Sequence, residues 1–411
     1  MALVEFRVQH RDHGGGVIST HTPAGESLAW NYRASDIGDI SYDLALYDDT
    51  FLVSAGENSF APYKTDWHLQ MRYGGGGWQT IQAGIHTSVN LKPRTGVVGV
   101  AGKDWLHWLE QPVFFNKYNV QFDPANLQEV LDASADSYTG SFFNGTYLKA
   151  WIGANGATHQ QVINFLLSNP HTSGPVVTLN PVYGGVGNSF NQLFTYVIMF
   201  QDQTNRLDHL KTLSQLHDPL GYDFYVDWDK KVYFFGPRKQ VPYSPNPIWT
   251  LTAENVVIDT VPDFDWTNNG PVATHVVGLG PGNPAIWRIK KDQDSIDFYR
   301  HWLKLENIGD SYLRSTVTGT VNAIQKGTEA LQYIFPHKDL KLSVYPDKVG
   351  LPDASDGFKN HTGDVVRFLW EVWPYHTINA YFWITAQSYR GDAAGNYILD
   401  LGLEQIYDVF V

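Results

Sequence analysis

The chain has 411 residues, enough for two or three domains of about 150 residues, each burying its own apolar core. Its 29 Lys and Arg against 42 Asp and Glu give a net charge of -13, which argues against nucleic-acid binding through clustered cation–phosphate contacts. The absence of cysteine excludes disulfides, thiolate nucleophiles, iron–sulfur clusters and Cys-type zinc sites. With 14% aromatic and only 17% charged residues, the surface is expected to favour packing against other proteins or sugars.

The opening MALVEFRVQHRDHGGGV carries Glu5, Arg7 and Arg11 where a signal peptide needs an apolar core, and no later run reaches ~18 uninterrupted apolar residues. The expectation is a soluble protein made in the cytosol, without a membrane-spanning segment. The sequon Asn144-Gly145-Thr146 then reads as a loop, because glycosylation needs a secretory route.

In chain order, VEFRVQ, SLAWNYR, SYDLALY, DWHLQMRY and WQTIQAGIH alternate apolar and polar residues, which predicts five strands each turning one face to a core. Gly74 to Gly77, between the last two, predicts a hairpin tip. Such a series suits a small barrel or sandwich. VVGVAGKDWLHWLEQP predicts a strand running into a helix whose stripe is Trp105, Leu106, Trp108 and Leu109, stopped at Pro112.

Residues 113–205 are less regular. DPANLQEVLDASAD and THQQVINFLLSNP read as short helices, the second with Thr158 at its N-cap, and HTSGPVVTLNPVYGGVGNSFNQ reads as a mobile or partner-ordered loop. Leu207, Leu210, Leu213 and Leu216 then predict an amphipathic helix, followed by a hairpin of YDFYVDW and KKVYFFG around Asp229-Lys230. In the C-terminal part HVVGLG, AIWRIKK, YLRSTVTGTV, LKLSVYP, DVVRFLWEVW, AYFWITAQSY and YILDLGLEQI read as strands, with one helix at NAIQKGTEALQYIF. The last three strands form an expected antiparallel meander.

Four stretches invite a chemical reading. Gly96 and Gly102 are one residue too far apart for a Walker loop, and Asp104 stands where its hydroxyl belongs; Gly99 and Gly102 lack the third glycine of a dinucleotide fingerprint. Asp104 therefore reads as an N-cap. His10, Asp12 and His13 have metal-ligand chemistry, but His13 points away from the other two in a strand and a third distant ligand is missing, so a surface strand end is the expectation. Asp263, Asp265 and Asn269 have the oxygen-rich look of a calcium loop, yet Gly270 falls at the eighth position and Thr274 replaces the bidentate glutamate, so a turn is expected. Trp370, Glu371 and Trp373 would suit sugar stacking, but no pair of glycosidase carboxylates can be placed and neighbouring strand residues face opposite sides, so core and rim are the default. No Gly-x-Ser-x-Gly elbow occurs. The expectation is a protein without catalytic, cofactor or metal residues, and not an enzyme.

The order of these pieces resembles the tail hub proteins of tailed bacteriophages of the siphophage type. A strand ending in Gly-x-Asp leads into a short Leu-rich helix at Gly102, Asp104, Leu106 and Leu109. A later helix is followed by the strand–turn–strand of Gly221, Phe224, Val226, Asp229, Val232 and Phe234. Gly363, Asp364 and Val365 open a late strand, and Asp-x-x-Gly-x-Tyr precedes the final one. The resemblance implies a mainly β fold with short helices, in two barrel-like β domains plus helix–hairpin units. It divides the chain into a hub domain at 1–112 ending in the strand–helix corner, an irregular insertion at 113–205, a helix–hairpin domain with linking strands at 206–320, and a barrel-like domain at 321–411. It implies a structural virion protein at the tail tip or baseplate, made in the host bacterial cytoplasm. Three copies would form a homotrimeric ring joining the tail tube and distal tail protein to the tip and fibres, near the tape-measure protein, with DNA passing through its lumen. An acidic lumen would let that DNA slide without sequence-specific binding. The competing expectation is a carbohydrate-binding or glycan-degrading β-rich protein.

Overall fold

A computed structural model describes residues 4–45, 62–92, 94–111, 121–122, 149–152, 157–168, 177–183, 193–194, 197–199, 205–216, 222–235, 246–257, 275–279, 287–291, 293, 296–297, 303–307, 339–350, 353, 355–372, 376–391 and 396–405. Its centre is a 12-stranded sheet. From the N-terminal part come β1 (Val4–Arg11), β2 (Val17–His21), β3 (Ala29–Arg33), β4 (Asp39–Ala45), β5 (Asp66–Tyr73), β6 (Gln79–Lys92) and β7 (Val97–Asp104). From the C-terminal part come β11 (Trp249–Leu251), β15 (Asp339–Val344), β16 (Val365–Val372), β17 (His376–Gly391) and β18 (Tyr397–Gln405).

The alternation in these segments sets their faces. In β1, Phe6, Val8 and His10 are buried while Glu5, Arg7, Gln9 and Arg11 are not; in β4, Ile40, Tyr42 and Leu44 are buried and Ser41 is exposed. The order β11-β16-β17-β3-β4-β7-β6-β5-β1-β2, with β18 and then β15 branching from β17, runs N- and C-terminal strands into one another. The seam is β3 against β17, where Ala29 to Arg33 pair antiparallel with Arg390 to Ala386.

β17 serves two neighbours along one edge. Its first half pairs with β16 and its second with β3, and the register shifts between Ile384 and Ala386 along the ladder to β18. β6 instead lies between its two neighbours, pairing with β5 through Ile85 on one edge and with β7 from Gly84 onward on the other, with a shift between His86 and Ser88. A bulge of this kind bends a strand and lets it turn a corner.

A second core lies against β6. It is built from the 3-10 helix Trp105–Glu110, α1 (His159–Ser168), α2 (Arg206–Leu216), and a small sheet in which β8 (Asn180–Tyr183) runs parallel to β10 (Lys231–Phe235), itself paired with β9 (Asp223–Val226). A further sheet joins β12 (His275–Leu279) to β13 (Trp287–Lys291) and, in parallel, to β14 (Leu303–Asn307). No helix among the described residues is long and apolar enough to cross a membrane.

The mainly β class with short helices is the one observed, and the glycine turn after β5 is a hairpin tip, with Gly74 and Gly75 at positive φ. Barrel closure is not: among the described residues the central sheet is open, ending at β2 on one side and β11 on the other. Alternation reveals which face of a strand is buried but not which strand lies beside it, so two sets of strands read as separate barrels are joined at β3 and β17. Part of the expected loop at 171–192 is ordered, since Asn180–Tyr183 forms β8; the rest, like the expected helices at 123–136 and 322–335, lies outside the described residues.

Candidate functional site: the strand–helix corner and the seam

The corner after β7 is built by Asp104. Its Oδ1 accepts the backbone N–H of Leu106 at 2.9 Å, capping the 3-10 helix, and its Oδ2 accepts that of Gly38 at 2.7 Å. Burial pushes this carboxyl up to about 8; the two N–H donors pull the other way, and Asp36 and Asp39 add to the rise. The expected cap is present, and the helix lays Trp105, Leu106 and Leu109 into the second core, with Trp108 packed at its margin.

Gly102 has a steric reason of its own. A β-carbon there would stand 2.2 Å from Trp67 Nε1 and 2.9 Å from the Ile85 carbonyl, so the glycine lets β7 pass beneath a buried indole. Trp67 Nε1 donates to that same carbonyl at 3.2 Å.

Arg206, at the start of α2, was invisible to sequence reasoning. It is almost fully buried, and its Nη2 donates to the Trp108 carbonyl at 2.7 Å while its own N–H donates to the Gln111 carbonyl at 3.1 Å. Burial lowers its pKa to about 10. One cation thus fastens the 3-10 helix to α2, where sequence shows only a helix-opening arginine beside a leucine stripe.

Further contacts tie this unit to the sheet. Ser35, at positive φ, donates from its hydroxyl to Asp223 Oδ1 at 2.6 Å and from its N–H to the Phe224 carbonyl at 2.6 Å, and Lys211 reaches Asp36 at 2.9 Å. Gly363, at φ 92°, carries no side chain because the Phe235 ring would lie 2.8 Å from its β-carbon. The Gly-Asp at 363–364 is thus a joint between the hairpin and β17: Gly363 N–H donates to the Ile384 carbonyl and Ile384 N–H to that of Asp364.

At the seam, the indole of Trp30 stacks on Tyr389 at 4.5 Å, and Phe6 packs on Trp30, Phe358 and Tyr397. Tyr389 donates to the Gly357 carbonyl at 3.0 Å and accepts from Gln387 Nε2 at 2.9 Å, so the buried hydroxyl is satisfied on both sides.

The remaining sequence candidates diverge. Asp12 and His13 are exposed: Asp12 accepts the Gly16 N–H within the turn, and His13 Nδ1 lies 3.7 Å from Asp66. His10 is not at the surface with them, a correction that follows from its place on the inward face of β1. Its Nε2 lies 3.1 Å from Tyr42 Oη, which is 3.2 Å from His86 Nε2, and the two imidazoles are stacked at 4.5 Å. Parallel stacked rings cannot both hold one metal ion in plane. His86 Nδ1 lies 3.0 Å from the Thr65 hydroxyl and 3.2 Å from its carbonyl, so the tautomer of this ring sets which way the Tyr42 hydroxyl donates. Trp370 stacks on Phe368 beside the main core and Glu371 is exposed, as alternation requires; Trp373, Asn144, Gly221 and the 263–274 stretch lie outside the described residues.

No protein-family model matches the sequence, and no curated protein matches it either. Solved structures do. A tail protein from Neisseria meningitidis MC58 superposes with a TM-score of 0.51 at 13% identity, covering 99% of this chain and 98% of that one. The 43 kDa tail protein of prophage MuSo2 from Shewanella oneidensis does so at 0.54 and 10% identity, over 98% of both chains. The chain has the fold of phage tail proteins. A Francisella PdpA–VgrG complex contains the same fold, at a TM-score of 0.52 and 11% identity, matched over 98% of this chain and 58% of that one. In this tail-protein fold the Gly102–Asp104 corner and the Gly363–Asp364 joint, the residues on which the sequence resemblance rests, hold the second core to the sheet.

Proposed function

We propose that this chain is the central hub of a phage tail, acting by assembly and not by catalysis. Three copies form a ring that joins the tail tube and distal tail protein to the tip and fibres, and DNA leaves through its lumen. The observation that carries this reading is likeness to two tail proteins over 98% or more of every chain compared. The internal build supports it: a 12-stranded sheet tied to the second core by Ser35, Lys211 and Gly363 is a rigid frame.

The net charge of -13 supports a channel wall that repels phosphate. The sugar-binding alternative draws less support than the composition implied, because Trp30, Trp67, Trp105 and Trp249 are buried in the cores. Native mass measurement of the full chain tests the proposal. A three-copy ring is expected; a monomer, or an oligomer of even number, overturns it. Division of the chain at 1–112, 113–205, 206–320 and 321–411 is part of the same proposal.

A further inference from the structure

The outer face of the sheet at β1, β5 and β6 carries an unusual charge arrangement. Arg7 and Arg72 sit diagonally across the paired strands, Arg7 opposite Gln70 and Glu5 opposite Arg72. Their guanidinium carbons lie 4.2 and 4.8 Å from the ring centre of Trp78, the residue that follows the glycine turn. Arg7 Nε is held by Gln70 Oε1 at 2.8 Å, and Arg72 is bonded to Glu5. Glu5 therefore serves Arg72 alone, and Arg7 makes no ion pair among the described residues.

Elsewhere on the described surface Arg33 is paired with Asp36 and Asp39, Lys92 with Asp43, Lys211 with Asp36 and Arg390 with Asp400. Partial burial and the neighbouring Arg72 both lower the pKa of Arg7, as expected where like charges are held together. The group is also rigid, since both arginines stand on paired strands and each is fixed by a side-chain bond. A preorganised fork beside an indole has the composition and stiffness of a protein-interface anchor.

We propose that Arg7, Arg72 and Trp78 form a docking patch for a carboxylate-bearing face of a second copy of this chain. The inference rests on the hub reading above, in which copies associate, and it says which surface joins them. Each copy carries -13, so copies that meet must set cations against the acidic surface of the neighbour. The patch meets a different surface on its neighbour, and such a heterologous contact is the kind that closes rings. DNA is the poorer occupant, because two arginines neutralise too few phosphates to hold a duplex.

The test uses the full chain, wild type beside Arg7→Glu, which leaves a local partner for the acid in Arg72. Arg94→Glu, at an exposed turn, makes the same charge change elsewhere. Sedimentation velocity across a concentration series at low and high salt reads self-association. Expected are assembly of wild type and Arg94→Glu, weakening with salt, and self-association at least tenfold weaker for Arg7→Glu at an unchanged melting temperature. If Arg7→Glu does not fold, Arg7→Gln, which keeps a polar stem without the charge, is expected to weaken association severalfold. Either folded variant assembling like wild type overturns the inference, as does intact assembly with loss of retention on a DNA oligonucleotide. A wild type that never self-associates instead refutes the hub reading beneath it.

Discussion

Gly102 in β7 and Trp67 in β5 are in contact over the intervening β6 so closely that a methyl group on Gly102 would overlap Trp67 Nε1. The indole is fully buried and bonded to the Ile85 carbonyl, and a backbone carbonyl lies on the same side, so neither neighbour can give way. Gly102→Ala should therefore cost more than about 2 kcal/mol, the range of an overpacked core. Urea denaturation would read this as a lower midpoint with an unchanged slope; a midpoint equal to wild type would show that Trp67 can move.

Acid should destabilise the fold. Burial first, then His86 and His21, hold His10 well below its ordinary value, and burial holds His86 at about 4, His68 at about 3 and His209 at about 4. Depressed imidazoles contribute stability that is complete above about pH 6.5 and is lost as pH falls toward the folded values, each adding a slope of up to about 1.4 kcal/mol per pH unit. Asp66 and Asp104, raised by burial to about 6 and about 8, act in the opposite sense, losing stability as pH rises through those values. Four imidazoles outweigh two carboxyls between pH 6 and 4. Thermal melts should show the transition falling steadily over that window, and His86→Gln should flatten the fall even if it lowers the whole curve.

Arg206 cannot be exchanged for lysine. Its fork reaches two carbonyls, Trp108 at 2.7 Å and Leu166 at 3.4 Å, whereas an ammonium is a point donor on a flexible stem. Arg206→Lys is expected to cost about 1–2 kcal/mol and Arg206→Ala about 3 kcal/mol or more, the scale for breaking a buried charged contact. Equal stability of all three proteins would remove the joint between the 3-10 helix and α2 from any account of the fold.

The seam should make distant parts of the chain open together. Trp30→Ala, which removes a fully buried indole stacked on Tyr389, should cost about 3–5 kcal/mol. Tyr389→Phe should cost about 1–2 kcal/mol by orphaning the Gln387 and Gly357 groups. Hydrogen exchange would show the amides of 386–390 accelerating in the Trp30 variant to the same extent as those of 29–33. Protection retained in β17 alone would mean that the two strands unfold independently.

Local patterning carried much of this fold. DWHLQMRY matches β5 residue for residue, the Asp104 cap and the leucine face of α2 appear as expected, and the glycine turn closes its hairpin. These are short-range features, set by neighbours within one turn of chain. β2, β8, β11 and β14 were missed because they are brief or pair in parallel with remote segments, leaving no alternation to read. His10 was misplaced although it continues the inward alternation of Phe6 and Val8 in β1, because spacing alone linked it to Asp12 and His13. The arginine patch was equally hidden, since Arg7 and Arg72 become neighbours only when β1 and β5 pair.

The pairing of β3 with β17 has a consequence for how the protein is made. Residues that lie side by side in this ladder leave the ribosome roughly 350 residues apart, a separation that slows folding by the entropy of closing so long a loop. At elongation speeds of about 5–20 residues per second the open edge of β3 waits roughly 20–70 s for its partner. Throughout that interval this edge of β3 has no partner from its own chain, so the central sheet cannot be completed until β17 has been made.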